Sequence, residues 1–146
     1  LGLEDGRVAN PVMTASSYYN FWGGPWNGRL NQKREGRKGG SWYAKRQDRH
    51  PWLQVDFGAM TTIKRVLTQG RQNAAQWVKT YYVTYSGNGH TFTPYKEAGR
   101  RKVFRGNWDQ FIVKTNTFRR PIRARYIRVH PVTWYSWASM RVEFYG

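Results

Sequence analysis

The sequence predicts an all-β fold of short strands, a sandwich or barrel, and three observations carry that prediction. Apolar and polar residues alternate strictly in several segments. A β-branched and aromatic run is folded back by a glycine-rich turn, and no helical periodicity of normal length appears. At 146 residues the chain is long enough to bury a core without staples, and it reads as one domain, residues 1–146, with no linker.

Taken in order, Asn10-Pro11 is the first turn signal. The stretch "YYNFWGGPWNGRL", Tyr18 to Leu30, breaks any regular alternation with Gly23-Gly24-Pro25 and reads as a loop. A second turn signal stands at Gly39-Gly40. In "WLQVDFG", Leu53, Val55 and Phe57 alternate with Gln54 and Asp56, the mark of a half-buried strand with one wet face. The run Val78–Tyr85, the turn Ser86-Gly87-Asn88-Gly89 and the run Thr91–Tyr95 predict a β-hairpin, because Gly and Asn tolerate the positive φ such turns require. Turns are expected at Gly106-Asn107 and Arg120-Pro121. Two strands close the chain: Ile127 and Val129 alternate with Tyr126, Arg128 and His130, and Val142 and Phe144 with Arg141 and Glu143.

Charge is the strongest global feature. The chain has 25 Lys+Arg against 8 Asp+Glu, a formal net charge of +17, and a mean hydropathy of -0.83. Solubility of a small domain needs only about 2–8 charges. The excess therefore predicts attraction to a polyanion, whether nucleic acid, sulfated glycan or anionic lipid, without choosing among them. Cysteine is absent, which removes a disulfide framework, a thiol nucleophile and cysteine-ligated zinc. No apolar run approaches the ~20 residues of a membrane-spanning helix, and Leu1–Gly6 does not look like a signal peptide.

Several stretches together are similar to one family. "LGLEDGRV" with "TASSYY", "WLQVDFG", "TQGR", "WVKTYYVTYSGNGHTFTPYKE", "VFRGNWD", and "RPIRARYIRVHPVTW" with "SMRVEFYG" resemble the discoidin family, the coagulation factor V/VIII type C domains. The resemblance spans the chain in the right order and is closest to the phospholipid-binding animal members. It implies an eight-stranded jelly-roll-like β-barrel or sandwich with loop spikes at one end, and an extracellular, secreted or peripheral cell-surface location. Animal members usually join their termini by a disulfide, and this chain has no cysteine to do so.

The first implied spike is Asn20–Asn27. In membrane-binding members, exposed apolar tips enter the interface while basic neighbours meet the headgroups. Phe21, Trp22 and Trp26 match that design, although one or two of them can equally fold back into the core. The second spike is Tyr43–His50, where Lys45, Arg46 and Arg49 are placed for phosphate or sulfate. Residues 29–49 hold eight basic residues against Glu35 and Asp48. The third, Arg71–Gln76, is short and carries Ala74 and Ala75 where membrane-binding members tend to have large apolar residues. A polar reading, in which Arg71, Gln72 and Asn73 line a groove between spikes, fits it as well. Tyr135 and Trp137 lie in a loop expected at the same end, whereas Trp134 reads as core.

A second basic cluster runs from Arg100 to Arg128, ten basic residues against Asp109 alone. Arg100, Arg101, Lys102, Arg119, Arg120 and Arg123 are its candidates for sulfated, heparin-like chains, the alternative being a dispersed solvated surface. No enzyme is predicted. His50, His90 and His130 lack metal-ligand spacing, HExxH and GxSxG are absent, and the "GNWD" group reads as turn and strand-end residues. Neither metal nor cofactor is expected, and no acidic cluster suggests calcium. The expected partner is an anionic phospholipid surface or a sulfated glycan, with a protein receptor as a further possibility. Specific nucleic-acid binding is not expected, since phosphate attraction alone is nonspecific and salt-sensitive.

Overall fold

In the computed structural model, which describes residues 1–146, the alternating segments are strands and the only helical turns are three short 3-10 turns. The strands are β1 (Met13–Ala15), β2 (Trp42–Tyr43), β3 (Leu53–Gln69), β4 (Trp77–Ser86) and β5 (Thr93–Pro94). They continue with β6 (Lys96–Glu97), β7 (Arg100–Arg101), β8 (Phe104–Arg105), β9 (Lys114–Tyr135) and β10 (Ser139–Tyr145). Eight form one sheet along the path β2-β10-β3-β9-β4-β5, with β1 on β3 and β8 on β4, while β6 and β7 pair separately. This is an all-β sandwich, as the sequence predicts. Inward residues of β3, β9 and β10, among them Val55, Ile63, Ile127 and Phe144, belong to a core cluster of 23 buried residues.

The length of β3 and β9 decides where the loops go. Asp56 faces Tyr126, which also faces Ser86, and beyond Asp56 the β3–β9 register shifts, with Gly58 at φ 80°. At this far pole Arg125 holds Asp56 through two hydrogen bonds, of 2.8 and 3.1 Å. Both strands then return, so that Thr68 faces Lys114. Each of them begins and ends near one pole. The loops before and after β2, the β3–β4 loop, the β8–β9 loop and the β9–β10 turn therefore gather there.

Three sequence expectations are revised. Arg120-Pro121 is not a turn; it lies within β9, where the register jumps from Ile63↔Ile122 to Arg65↔Thr117. Residues 118–121 bulge opposite Lys64, and Pro121, which has no N–H to donate, sits where the ladder is already interrupted. Nor does β10 have a wet face, because Arg141 and Glu143 are both buried. Glu143 accepts hydrogen bonds from the N–H groups of Leu3 and Glu4 and from the Leu1 amine, so the N-terminal segment covers the face that alternation leaves polar. The hairpin exists, but only Thr93–Pro94 of its second strand pairs with β4. Ser86 Oγ and Asn88 Oδ1 capture the N–H groups of Gly89, His90 and Thr91, and this wider turn uses up the donors a longer strand would need.

Candidate functional site

The first loop is built on two consecutive 3-10 turns, Phe21–Gly23 and Pro25–Asn27. Asn20 caps the first through its Oδ1, which accepts the Gly23 N–H and the Tyr43 hydroxyl. The Gly-Gly pair has a steric reason. A Cβ at Gly23 would stand 2.6 Å from the Tyr43 ring, and one at Gly24 2.2 Å from the Trp26 ring. Both rings lie against the glycine backbone, and Trp26 is half-buried there. Phe21 is 50% exposed and Trp22 36%. Tyr18 and Phe21 pack around Trp26 at ring distances of 5.3 and 5.9 Å, so the loop presents a single aromatic cluster.

Buried Asn27 joins this loop to the segment after it. Its Nδ2 donates to the Trp22 carbonyl, and its Oδ1 accepts from the Gly39 N–H and Gln32 Nε2. Arg34, from that segment, lays its guanidinium over Trp22 at 4.0 Å. The β3–β4 loop docks alongside, where Gln72 accepts the Arg34 N–H through Oε1 and donates its own N–H to the Gly40 carbonyl.

Around this aromatic cluster the cations are pre-placed. Arg71 stacks over Tyr43 at 4.3 Å and donates to Asn73 Oδ1 and Gln76 Oε1. Asn73 therefore orients Arg71. Arg46 stacks over Trp137 at 3.8 Å and donates to the Ser136 carbonyl. Trp137 in turn meets Tyr19 and Tyr43 edge-on, so Arg46 and Arg71 belong to one aromatic group. Lys45 and Arg49 are exposed on the second loop. Tyr135 is exposed and stacked at 4.6 Å on Trp77, and Trp134 packs against the core.

None of the five ion pairs in the structure involves these cations. Asp48, the acid of the second loop, is turned inward: its Oδ2 accepts the Ser16 and Ser17 hydroxyls at 2.7 and 2.6 Å. Partial burial works against its charge, yet those hydroxyls and the His50 N–H outweigh burial and hold its carboxyl below the ordinary range. Asp48 thus stays ionised but is engaged by these donors, and Arg34, Lys45, Arg46, Arg49 and Arg71 keep their charge without a paired carboxylate.

One buried cation organises the loops. Arg141 is 2% exposed and donates to the carbonyls of Gly70 (2.7 Å), Gln32 (2.8 Å) and Gln110 (2.7 Å). Those carbonyls belong to three different loops. Burial lowers its pKa to about 10, which leaves it charged at neutral pH.

The second basic cluster is differently arranged. Glu97 pairs with Lys102 at 3.6 Å and Arg119 at 3.9 Å, Arg101 covers the Tyr82 ring, and Arg123 donates to Thr62. Arg100 and Arg120 are exposed. The structure does not join these residues to the aromatic pole, and part of their charge is already engaged.

Some residues of the pole carry no local signal in the sequence. Arg34 reads as one charge in a run, and Tyr18, Tyr19 and Tyr43, although they fall in the first loop and the second spike, are not singled out as site residues. The "GNWD" group is a turn, as expected, yet it exposes Trp108 and the following Phe111 and Ile112.

The chain is similar to other proteins in sequence and in fold. Lactadherin from Bos taurus is 36% identical, aligned over all of this chain and 36% of its own length. Coagulation factor V from Pseudonaja textilis is 35% identical over all of this chain and 10% of its own length. The chain thus spans little more than a third of the lactadherin and a tenth of the factor V. The structure of discoidin II from Dictyostelium discoideum superposes with a TM-score of 0.81 at 27% identity, covering 91% of this chain and 53% of that one. A family 32 carbohydrate-binding module of C. perfringens NanJ, solved with galactose, has a TM-score of 0.69 at 19% identity and shares the fold. The regions matched are non-catalytic binding domains, and this chain is a binding domain, not an enzyme. A family model described as F5/8 type C domain matches residues 12–144, and the chain belongs to that family.

Proposed function

We propose that residues 1–146 form one extracellular binding domain that docks peripherally on anionic cell surfaces, with phosphatidylserine-containing membrane as the ligand. One observation carries this reading: Phe21 and Trp22 are exposed at the loop pole that also carries Arg34, stacked on Trp22, and the exposed cations Lys45, Arg46 and Arg49, none of which has an acidic partner. Aromatic side chains favour the headgroup level, and unpaired cations add attraction to anionic lipid. Phe21 and Trp22 act as the anchors, Trp26 packs against Phe21, and Arg71, stacked on Tyr43 and oriented by Asn73, meets a headgroup. Tyr135 extends the apolar rim.

A second reading rests on the cluster of Arg100, Arg101, Lys102, Arg119, Arg120 and Arg123, which suits a sulfated glycan. Sedimentation with phosphatidylcholine vesicles, with and without phosphatidylserine, separates the two when heparin is added as competitor. The membrane reading expects phosphatidylserine-dependent pelleting that heparin reduces without abolishing. Pelleting that ignores phosphatidylserine, or that heparin removes entirely, would refute it.

A further inference from the structure

The β8–β9 loop carries the most exposed apolar side chains outside the aromatic loop. Trp108 is 58% exposed, Phe111 59% and Ile112 48%. Contiguous exposed apolar surface of this kind commonly marks an interaction site.

The loop is a built turn. Asp109 Oδ1 accepts the N–H groups of Phe111 and Ile112 at 3.0 and 2.9 Å, so the loop's one carboxylate is spent on its own backbone. Buried Asn107 donates to the carbonyls of Thr68 and Ile112 at 2.9 and 3.0 Å, which closes the turn onto the end of β3.

Its position is tied to the aromatic pole. Gln110 Nε2 donates to the Gln72 carbonyl at 3.3 Å, Gln72 Oε1 accepts the Arg34 N–H at 2.9 Å, and the Arg34 guanidinium covers Trp22. Arg141 holds the Gln110 carbonyl together with those of Gly70 and Gln32. The Arg71–Gln76 loop between the two aromatic groups offers only Ala74 and Ala75 as apolar side chains.

We propose that Trp108, Phe111 and Ile112 form a second apolar anchor that enters the same anionic bilayer as Phe21 and Trp22, supplying the contact that the Arg71–Gln76 loop lacks. This rests on the membrane reading above. Charge selects the occupant: a second copy of the chain would bring two bodies of +17 together, whereas an anionic bilayer complements that charge and is continuous with the surface that Phe21 and Trp22 would enter.

The chain has no cysteine, so a single introduced thiol can carry an environment-sensitive fluorophore without background. Three variants suffice: Trp108→Cys, Trp22→Cys, and Gly87→Cys at the far pole, where Gly87 lies beside Met60. With phosphatidylserine-containing vesicles, probes at 108 and 22 should shift to the blue and be quenched by a bilayer-embedded quencher, and the probe at 87 should not respond. The double variant Trp108→Ser with Phe111→Ser should weaken vesicle affinity roughly tenfold or more, with an unchanged urea midpoint. A probe that responds at 22 but stays wet at 108 overturns the second anchor and leaves the membrane reading standing. Silence at both positions overturns both. A concentration-dependent response at 108 without vesicles assigns the surface to a second copy and overturns the proposal.

Discussion

Replacing Arg141 with methionine keeps an unbranched side chain in place but removes every donor. Three buried or partly buried carbonyls, of Gln32, Gly70 and Gln110, then lose their partner. Hydrogen bonds from a charged donor contribute about 1.5–3 kcal/mol each, which makes the gross loss about 5–9 kcal/mol. Arg141 also suffers burial without a carboxylate partner, and relieving that desolvation returns several kcal/mol. A net destabilisation of about 3–5 kcal/mol is expected, a large share of the ~5–15 kcal/mol that holds a domain folded. The Arg141→Lys variant should fall between, because one ammonium cannot reach three carbonyls in the guanidinium's fork geometry. Urea unfolding reads the stability. Amide exchange reads the mechanism, since residues 31–34, 70–76 and 107–112 should open well below the global unfolding energy. An Arg141→Met protein within about 1 kcal/mol of the native one, with exchange in those segments unchanged, would refute the idea that this side chain organises the pole.

Other perturbations follow the same geometry. Burial first, then the nearby charges of Arg128 and Arg101, depress the His130 pKa from 6.5 to about 4. The unfolded chain therefore takes up a proton that the folded one refuses, so this contribution is complete above pH 6.5 and is lost as pH falls towards 4. Thermal unfolding should show at most about 3 kcal/mol of such loss, and His130→Phe, which keeps the stack on Tyr82, should flatten the slope; an equal slope in the variant would assign it elsewhere. Gly24→Ala places a methyl 2.2 Å from the Trp26 ring and should displace the aromatic cluster, weakening vesicle binding more than it lowers the melting temperature. Unchanged vesicle affinity in that variant would mean that the cluster's packing is irrelevant to binding.

The sequence made legible what local pattern controls. Alternation at Leu53–Phe57 and Ile127–Val129 gave correct strands, since one neighbour's polarity is enough to assign a face. The same logic misjudged Arg141 and Glu143, whose cover comes from other loops, in part from residues over 100 positions away. Phe21, Trp22 and Trp26 were recognisable as a loop from Gly-Gly-Pro, but which ring faces inward is decided by how Gly24 lets the Trp26 ring lie on the backbone. Trp108 looked like an ordinary turn residue because "GNWD" says nothing of Gln72 or Arg141, which fix where that turn points. Arg34 likewise acquires its place over Trp22 only when the third loop docks.

The most direct test of the account is the affinity for phosphatidylserine-containing vesicles, measured across a salt titration for the native chain and for Phe21→Ser with Trp22→Ser. The exposed parts of these two rings amount to about 190 Å², or about 4–5 kcal/mol if fully withdrawn from water. Affinity of the native chain should fall as salt screens the unpaired cations and then level off at a residue of binding that salt does not remove. The double variant should lose that residue. A variant that keeps salt-resistant binding, or a native chain whose binding disappears completely in salt, would contradict the claim that aromatic anchors and cations act together at this pole.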